Sequence, residues 1–270
     1  MNFSELGYEI PAALPDSWRT YDQTNPEPGY FEFDWLSARH PDLYHSYALT
    51  TDALVHELRG LVDLRGQVVC DVGAGTGGSA IGIGTIAAHV YAVDAYRSVI
   101  EYGIRKVAEA GLHNVEYLWG DRSALPLPDR SVDVVSCVWA ELDLREANRV
   151  LRPGGLAIRM GNAPGSLCGE LSGILAEEYP ELITQVLPAE LFRDSAPSVD
   201  TVEHTVEGIA LSDGLRVYDF TRVIHYPDLD QLCSIVGRIY GPKASNYLKR
   251  KGKPSIAWRL RIQVGRKPEP

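Results

Sequence analysis

The segment from Val68 to Gly78, which reads VVCDVGAGTGG, restricts the fold of this chain more than any other. Its first five residues are mostly apolar, as in a buried strand, and glycines follow at the point where a helix would begin. Glycine at such a turn lets the backbone approach a ligand closely, and the amino end of a helix attracts anions. The segment therefore predicts a strand, turn and helix that bind a nucleotide-type ligand.

The spacing of the glycines leaves two kinds of cofactor open. Gly73, Gly75 and Gly78 satisfy the GxGxxG pattern of dinucleotide sites. Gly73, Gly75 and Gly77 satisfy the GxGxG pattern of methyltransferases just as well. Asp94 ends the next predicted strand, roughly 20 residues after the first glycine, where either fold would hold a ribose.

Asp71 favours one of the two cofactors. Its carboxylate stands two positions before the first glycine, where it would repel an incoming pyrophosphate. The same charge would attract the ammonium and the sulfonium of S-adenosylmethionine. The alternative is that Asp71 only accepts backbone N–H groups of the following turn.

Apolar periodicity predicts an α/β protein. Short apolar runs alternate with helical stretches from Gln67 onward, which is typical of a mostly parallel sheet with helices on its faces. The predicted strands are 68–72, 90–94, 115–120, 132–138, 156–160, 215–224 and 256–264. The predicted helices include 34–47, 52–62, 96–110, 142–150, 167–178 and 229–240. The basic residues Lys249, Arg250, Lys251 and Lys253 are interpreted as a solvated loop.

These patterns divide the chain into four predicted parts. Residues 1–66 form a helical cap rich in aromatics, and 67–162 form the cofactor-binding core. Residues 163–214 are punctuated by proline and glycine and are predicted to be an insertion that acts as a substrate lid. Residues 215–270 complete the core sheet.

Five segments in order resemble the class I S-adenosylmethionine-dependent methyltransferases of the small-molecule type. They are 71–77, 90–94, 120–121, 125–135 and 150–156, so the resemblance extends over 68–160. It implies a Rossmann-like, mostly parallel sheet of seven strands whose last strand is antiparallel. It also implies a helical N-terminal cap and an insertion after the fifth strand.

The resemblance implies which residues bind the S-adenosylmethionine cofactor. The loop from Asp71 to Gly77 would hold its methionine end, Asp94 its ribose and Asp121 its adenine amino group. Arg122 departs from the small or apolar neighbour expected there, and either stacks on the base or is simply solvated. The complete predicted set is Asp71, Gly73, Ala74, Gly75, Thr76, Gly77, Asp94, Ala95, Asp121, Arg122 and Val138.

The resemblance places the methyl acceptor beyond the carboxyl ends of the fourth and fifth strands, at 138–143 and 161–165. No Asn/Asp-Pro-Pro-Tyr motif follows the fourth strand, and the net charge of −10 opposes nucleic-acid binding. The expected acceptor is a small molecule with an O, N or C nucleophile. If the transfer uses a general base, the weak candidates are His40, His204 and His225, although a surface or packing role explains each one better.

No metal requirement is expected, because Glu141 and Asp143 are better explained as the polar start of a helix than as ligands. Residues 1–14 lack a basic stretch followed by an apolar run, and no apolar run approaches the ~18 residues of a membrane span. We therefore expect a cytoplasmic protein without a membrane partner. Two other functions stay open: an NAD(P)-dependent oxidoreductase, and a methyltransferase-fold protein that binds S-adenosylmethionine without methylating.

Overall fold

The computed structural model describes residues 30, 33–183, 185–201, 205–206, 209–210, 212 and 214–269. The α-helices are Phe33–Arg39 (α1), Pro41–Tyr47 (α2), Thr50–Leu61 (α3), Gly78–Gly84 (α4), Arg97–Glu109 (α5), Leu144–Val150 (α6), Ser172–Leu175 (α7), Leu229–Tyr240 (α8) and Pro242–Lys251 (α9). The strands are Val68–Val72 (β1), His89–Asp94 (β2), Val115–Trp119 (β3), Val132–Val138 (β4), Leu151–Asn162 (β5), Ser195–Thr201 (β6), Thr205–Val206 (β7), Ile209–Ala210 (β8), Arg216–His225 (β9) and Ser255–Arg266 (β10).

One large sheet organises the described residues. Its eight strands lie in the order β3-β2-β1-β4-β5-β10-β9-β6. The five strands from β3 to β5 run parallel, and β10 is antiparallel to both of its neighbours. The predicted Rossmann-like sheet with an antiparallel last strand is therefore confirmed. The carboxyl ends of β1, β2, β4 and β5 meet at one edge, which positions the glycine loop.

The strand count differs from the predicted seven. The additional strand, β6, comes from the insertion and pairs with β9 at the end of the sheet. Its sequence, SAPSVDT, lacks the alternation of apolar and polar residues that marks a half-buried strand. The register shifts between Ser195 and Ser198, around Pro197, which is the kind of position where a sheet edge tolerates proline.

Two hydrophobic cores cover the two faces of the sheet. Alternate residues of each inner strand face opposite sides, so that Val69 and Val134 join the larger core while Cys70 and Val135 join the smaller one. The larger core is covered by the cap helices, α4, α5, α8 and α9. The smaller core is covered by α6 and by the segment around Leu125.

Three helix predictions need correction. The helix predicted over 34–47 is divided into α1 and α2 at His40, because the residue before a proline is disfavoured in α-helical conformation. The helix predicted over 167–178 is reduced to a 3₁₀ turn at Gly169–Leu171 followed by the single turn α7. The basic stretch interpreted as a loop contributes Lys249, Arg250 and Lys251 to the last turn of α9, where cations favour the helix dipole.

Helix α2 of the predicted cap packs against α8. The hydroxyl groups of Tyr47 in α2 and Tyr240 in α8 are 2.9 Å apart, and both side chains are buried. On the other side of the cap, the Ser98 hydroxyl of α5 donates to the Ala38 carbonyl at 2.7 Å. The cap is thus held from two sides over the glycine loop. None of the described helices has the length and apolar character needed to cross a membrane.

Candidate functional site

The glycine loop connects β1 to α4 and takes a backbone path that favours glycine. Gly73, Gly75 and Gly77 have φ angles of +69°, +55° and +96°, in the left-handed region. The N–H groups of Gly73 and Ala74 donate to the Val93 carbonyl at 2.8 and 3.1 Å. The loop is therefore bonded to the end of β2, with little freedom to move.

A cleft lies between this loop and the cap. It contains about 470 Å³ of free space, part of it open to solvent. The cap lines it with Tyr44, His45 and Asp52, among others. Across from them lie residues of the glycine loop and, at the end of β4, Val138 and Trp139.

Asp94 bonds the glycine loop through one carboxylate oxygen and the start of α5 through the other. One oxygen accepts from the Gly75 N–H at 2.8 Å and the other from the Tyr96 N–H at 3.0 Å. Burial raises the pKa of Asp94, and the carboxylate of Asp34 in the cap raises it further, while the backbone hydrogen bonds oppose the rise. Each carboxylate oxygen has a second lone pair, which leaves acceptor capacity for a hydroxyl group of a ligand.

Tyr117 supports the same loop from below. Its hydroxyl donates to the Gly75 carbonyl at 3.0 Å, and its side chain is 1% exposed. Tyr117 belongs to β3, next to the strand that carries Asp94. Both polar groups of the Gly75 backbone are therefore held by side chains from neighbouring strands. Nothing in the sequence around Tyr117 identified this role, because it depends on the pairing of β2 and β3.

Asp71 lies beneath the loop instead of facing the cleft. It is 0% exposed, and its two oxygens accept from the hydroxyls of Ser79 at 2.5 Å and Ser136 at 2.9 Å. In the alternative interpretation, backbone N–H groups of the following turn donate to Asp71. The structure has side-chain hydroxyls as both donors instead. The expected contact of Asp71 with a cofactor ammonium, directly or through a water, stays a prediction. Asp71 joins β1, β4 and the start of α4.

The burial of Asp71 predicts how stability changes with pH. Desolvation raises the pKa of this carboxyl to about 6, so the folded protein keeps a proton that the unfolded chain releases near pH 4. The contribution of Asp71 to the free energy of unfolding is therefore greatest below about pH 4 and falls as the pH rises to about 6. Asp71→Asn cannot ionise and should lack this fall, which amounts to about 2–3 kcal/mol.

Urea unfolding of the wild type and of Asp71→Asn at several pH values from 4 to 7 measures this difference. Asp230→Asn, at an exposed position of α8, is the matched control and should follow the wild type. Parallel curves for the wild type and Asp71→Asn would contradict the assignment.

The remaining predicted cofactor residues occupy different surroundings. Asp121 accepts from the Ser123 N–H at 2.8 Å, and the Ala95 carbonyl accepts from the Trp119 indole at 3.1 Å. Arg122 forms an ion pair with Glu141 at 2.6 Å, and both side chains are largely exposed. Whether Arg122 stacks on the base stays a prediction. Thr76 and Val138 are buried and line the cleft.

None of the predicted histidine candidates that the structure describes lines the cleft. The ring of His40 contacts that of Trp35, with centroids 5.4 Å apart, and His225 is exposed at the end of β9. His204 lies outside the described residues. His45, which sequence reasoning missed, does line the cleft, and a 3.0 Å hydrogen bond joins its Nδ1 to the Thr76 hydroxyl. Burial and then the nearby Lys106 lower the pKa of His45.

Trp139 follows β4 in an unusual backbone conformation. Its φ angle is +59°, which is costly for a bulky residue and occurs where the surrounding structure enforces it. Its N–H donates to the Met160 carbonyl at 3.0 Å, and its ring lies edge-on to Trp258 with centroids 6.4 Å apart. This geometry directs an aromatic side chain into the region that the sequence predicted for the acceptor.

Comparison with known proteins identifies the domain. Residues 69–155 match the family model described as a methyltransferase domain. A demethylmenaquinone methyltransferase of Listeria monocytogenes is 40% identical over 74 residues, or 25% of this chain and 31% of that protein. Another demethylmenaquinone methyltransferase, of Clavibacter sepedonicus, is 32% identical over 132 residues, which are 46% of this chain and 53% of that protein. A fatty-acid O-methyltransferase of Mycolicibacterium smegmatis is 30% identical over 178 residues, which are 61% of this chain and 64% of that protein.

The chain thus spans between about a third and just under two thirds of the length of these relatives. The matched segment extends from β1 to the turn in β5 and includes the glycine loop, Asp94 and Asp121. It coincides with the parallel half of the sheet, where the cleft opens. By this match, residues 69–155 form a methyltransferase domain.

Proposed function

We propose that this protein transfers a methyl group from S-adenosylmethionine to a small organic molecule held under the cap. One observation carries the proposal: the glycine loop, fixed by Asp94 and Tyr117, forms the floor of a cleft that the cap covers. A cleft of this kind can hold a small cofactor next to an acceptor.

The chain's own residues fit S-adenosylmethionine, which supplies the electrophilic methyl group when bound. Residues 73–77 and Val138 would hold its methionine end, and Asp94 would accept from its ribose hydroxyls. Asp121 would lie beside its adenosine, and so would Ala95 and Arg122. Asp71 would act on the cofactor through the loop, because its carboxylate is fully buried beneath it and bonded to two serines.

The acceptor is proposed to be a small molecule with an O, N or C nucleophile. The names of the relatives, which mention demethylmenaquinone and a fatty acid, support a lipophilic or aromatic compound. Trp139 at the end of β4 would pack against it. A net charge of −10 supports a function without nucleic acid, and we place the protein in the cytoplasm. We further propose that residues 1–66 act as the cap. Residues 163–214 would act in part as a lid, and their strand β6 completes the sheet.

The class of reaction is tested by incubating the protein with S-adenosylmethionine and a panel of quinols, phenols and fatty acids, and measuring S-adenosylhomocysteine. Parallel titration with NADH tests the oxidoreductase alternative. Acceptor-dependent formation of S-adenosylhomocysteine supports the proposal. Tight binding of S-adenosylmethionine without turnover across the panel would favour a fold that binds the cofactor without methylating. Binding of NADH without binding of S-adenosylmethionine would overturn both the methyl-transfer proposal and the alternative of a fold that binds the cofactor without methylating.

Chelation is expected to leave methyl transfer unchanged. Across the described ranges, no three side chains among His, Cys, Asp and Glu are grouped as metal ligands would be. Positioning of the nucleophile against the methyl group carries much of such a reaction and needs no metal. Turnover should therefore stay the same after dialysis against EDTA. Loss of turnover that added magnesium restores would contradict the prediction.

A further inference from the structure

The cleft presents one carboxylate that has no partner among the described residues. Among the described residues that line the cleft, Asp52 is the one that carries a carboxylate. It belongs to the first turn of α3, in the cap, and it faces the cleft opposite the glycine loop. No described residue forms a hydrogen bond or an ion pair with its side chain.

Asp71 and Asp94 leave a charge of S-adenosylmethionine unmatched. The amino-acid end of the cofactor carries an ammonium group, which needs an acceptor when it leaves water. Asp71 is buried and bonded to two serines, and Asp94 is bonded to Gly75 and Tyr96 on the side of the loop that faces β2. Neither lines the cleft.

The surroundings of Asp52 suit a counter-ion for that ammonium. Asp52 is exposed to solvent, yet partial desolvation raises the pKa of its carboxyl, and among the described residues no cation offsets this effect. A ligand cation in the cleft would therefore gain from the unpaired charge of Asp52. Asp52 also lies in the first turn of α3, where a carboxylate stabilises the helix dipole whether or not a ligand is bound. A test has to separate these two roles.

We propose that Asp52 of the cap binds the ammonium of the cofactor's amino-acid end, the role that the sequence motif would give to Asp71. The proposal rests on the proposed function, since it assumes that S-adenosylmethionine occupies the cleft. It makes the cap a part of the cofactor site, so that residues outside the matched segment 69–155 select the cofactor.

A double-mutant cycle between protein and ligand tests the proposal without any turnover. Calorimetry would compare S-adenosylhomocysteine with its analogue in which hydrogen replaces the ammonium group, on the wild type, Asp52→Asn and Asp52→Ser. Asp42→Asn is the matched control, because Asp42 is also a first-turn aspartate of the cap but does not line the cleft. Circular dichroism would confirm that each variant is folded.

We expect Asp52→Asn and Asp52→Ser to bind S-adenosylhomocysteine roughly tenfold more weakly than the wild type. Both variants should bind the analogue as the wild type does, and Asp42→Asn should match the wild type for both ligands. An equal loss for the two ligands would show that Asp52 only supports the helix, and unchanged affinity would show no role; either result overturns the proposal. If the wild type binds neither S-adenosylmethionine nor S-adenosylhomocysteine, the proposed function fails, and this proposal fails with it.

Discussion

Asp94→Ala is expected to reduce the affinity for S-adenosylmethionine by about 2–4 kcal/mol, which exceeds the loss of a single neutral contact. The substitution removes the acceptor proposed for the ribose. It also releases the N–H groups of Gly75 and Tyr96, which Asp94 holds at 2.8 and 3.0 Å. The loop that forms the floor of the cleft would then lose one of its links to the end of β2, while Gly73 and Ala74 keep their bonds to the Val93 carbonyl.

Calorimetric titration with S-adenosylmethionine measures this loss, and Asp94→Asn is the matched control. The asparagine keeps one carbonyl oxygen, so it can still accept from one of the two backbone groups, and its loss should be smaller. Thermal unfolding of each variant separates misfolding from loss of binding. A folded Asp94→Ala variant with wild-type affinity would remove the ribose assignment.

Gly103→Ala is expected to lower the free energy of unfolding by about 3 kcal/mol, although alanine is normally the better helix residue. Gly103 lies in α5, and a Cβ atom there would come within 2.1 Å of the Tyr117 hydroxyl oxygen and 2.3 Å of its Cζ. Tyr117 is fully packed and cannot retreat without giving up its bond to the Gly75 carbonyl. The cofactor affinity should therefore fall together with the stability.

Gly60→Ala is the control for this substitution. Gly60 lies in α3, is exposed, and has no atom within 4 Å of the position of an added Cβ. The change should stabilise the protein by up to about 1 kcal/mol, because alanine loses less backbone entropy than glycine in a helix. Urea unfolding of both variants gives the comparison. Equal stability of the two variants would mean that Tyr117 can move aside freely.

The parallel half of the sheet was accessible from sequence, because buried parallel strands are continuous apolar runs that a single pattern reveals. β1 and β4 were predicted with the bounds that the structure has. The edge strand β6 was missed, since its polar sequence pairs only because β9 offers a free edge. Helix α9 was missed because its mean composition is strongly polar and its few buried residues, such as Leu248, are outnumbered by lysine and arginine.

The candidate site was predicted where it depends on local sequence and not where it depends on pairing. The glycines and Asp94 belong to motifs whose spacing carries the information. The surroundings of Asp71 depend on β4 lying beside β1, in a register that sets Ser136 opposite Asp71. The position of His45 beside Thr76 depends on how the cap folds back over the core. Spacing within one segment does not encode either contact.

The place of β10 in the sheet has a consequence for the order of assembly. β10 comes last among the strands in the chain, yet it lies between β5 and β9 and is bonded to both. During synthesis β9 and β6 emerge from the ribosome before the strand that joins them to the parallel half exists. Until then β5 presents an unpaired edge, which is prone to association with other chains. Long-range pairing of this kind slows folding, so aggregation of nascent or refolding chains should begin at this edge.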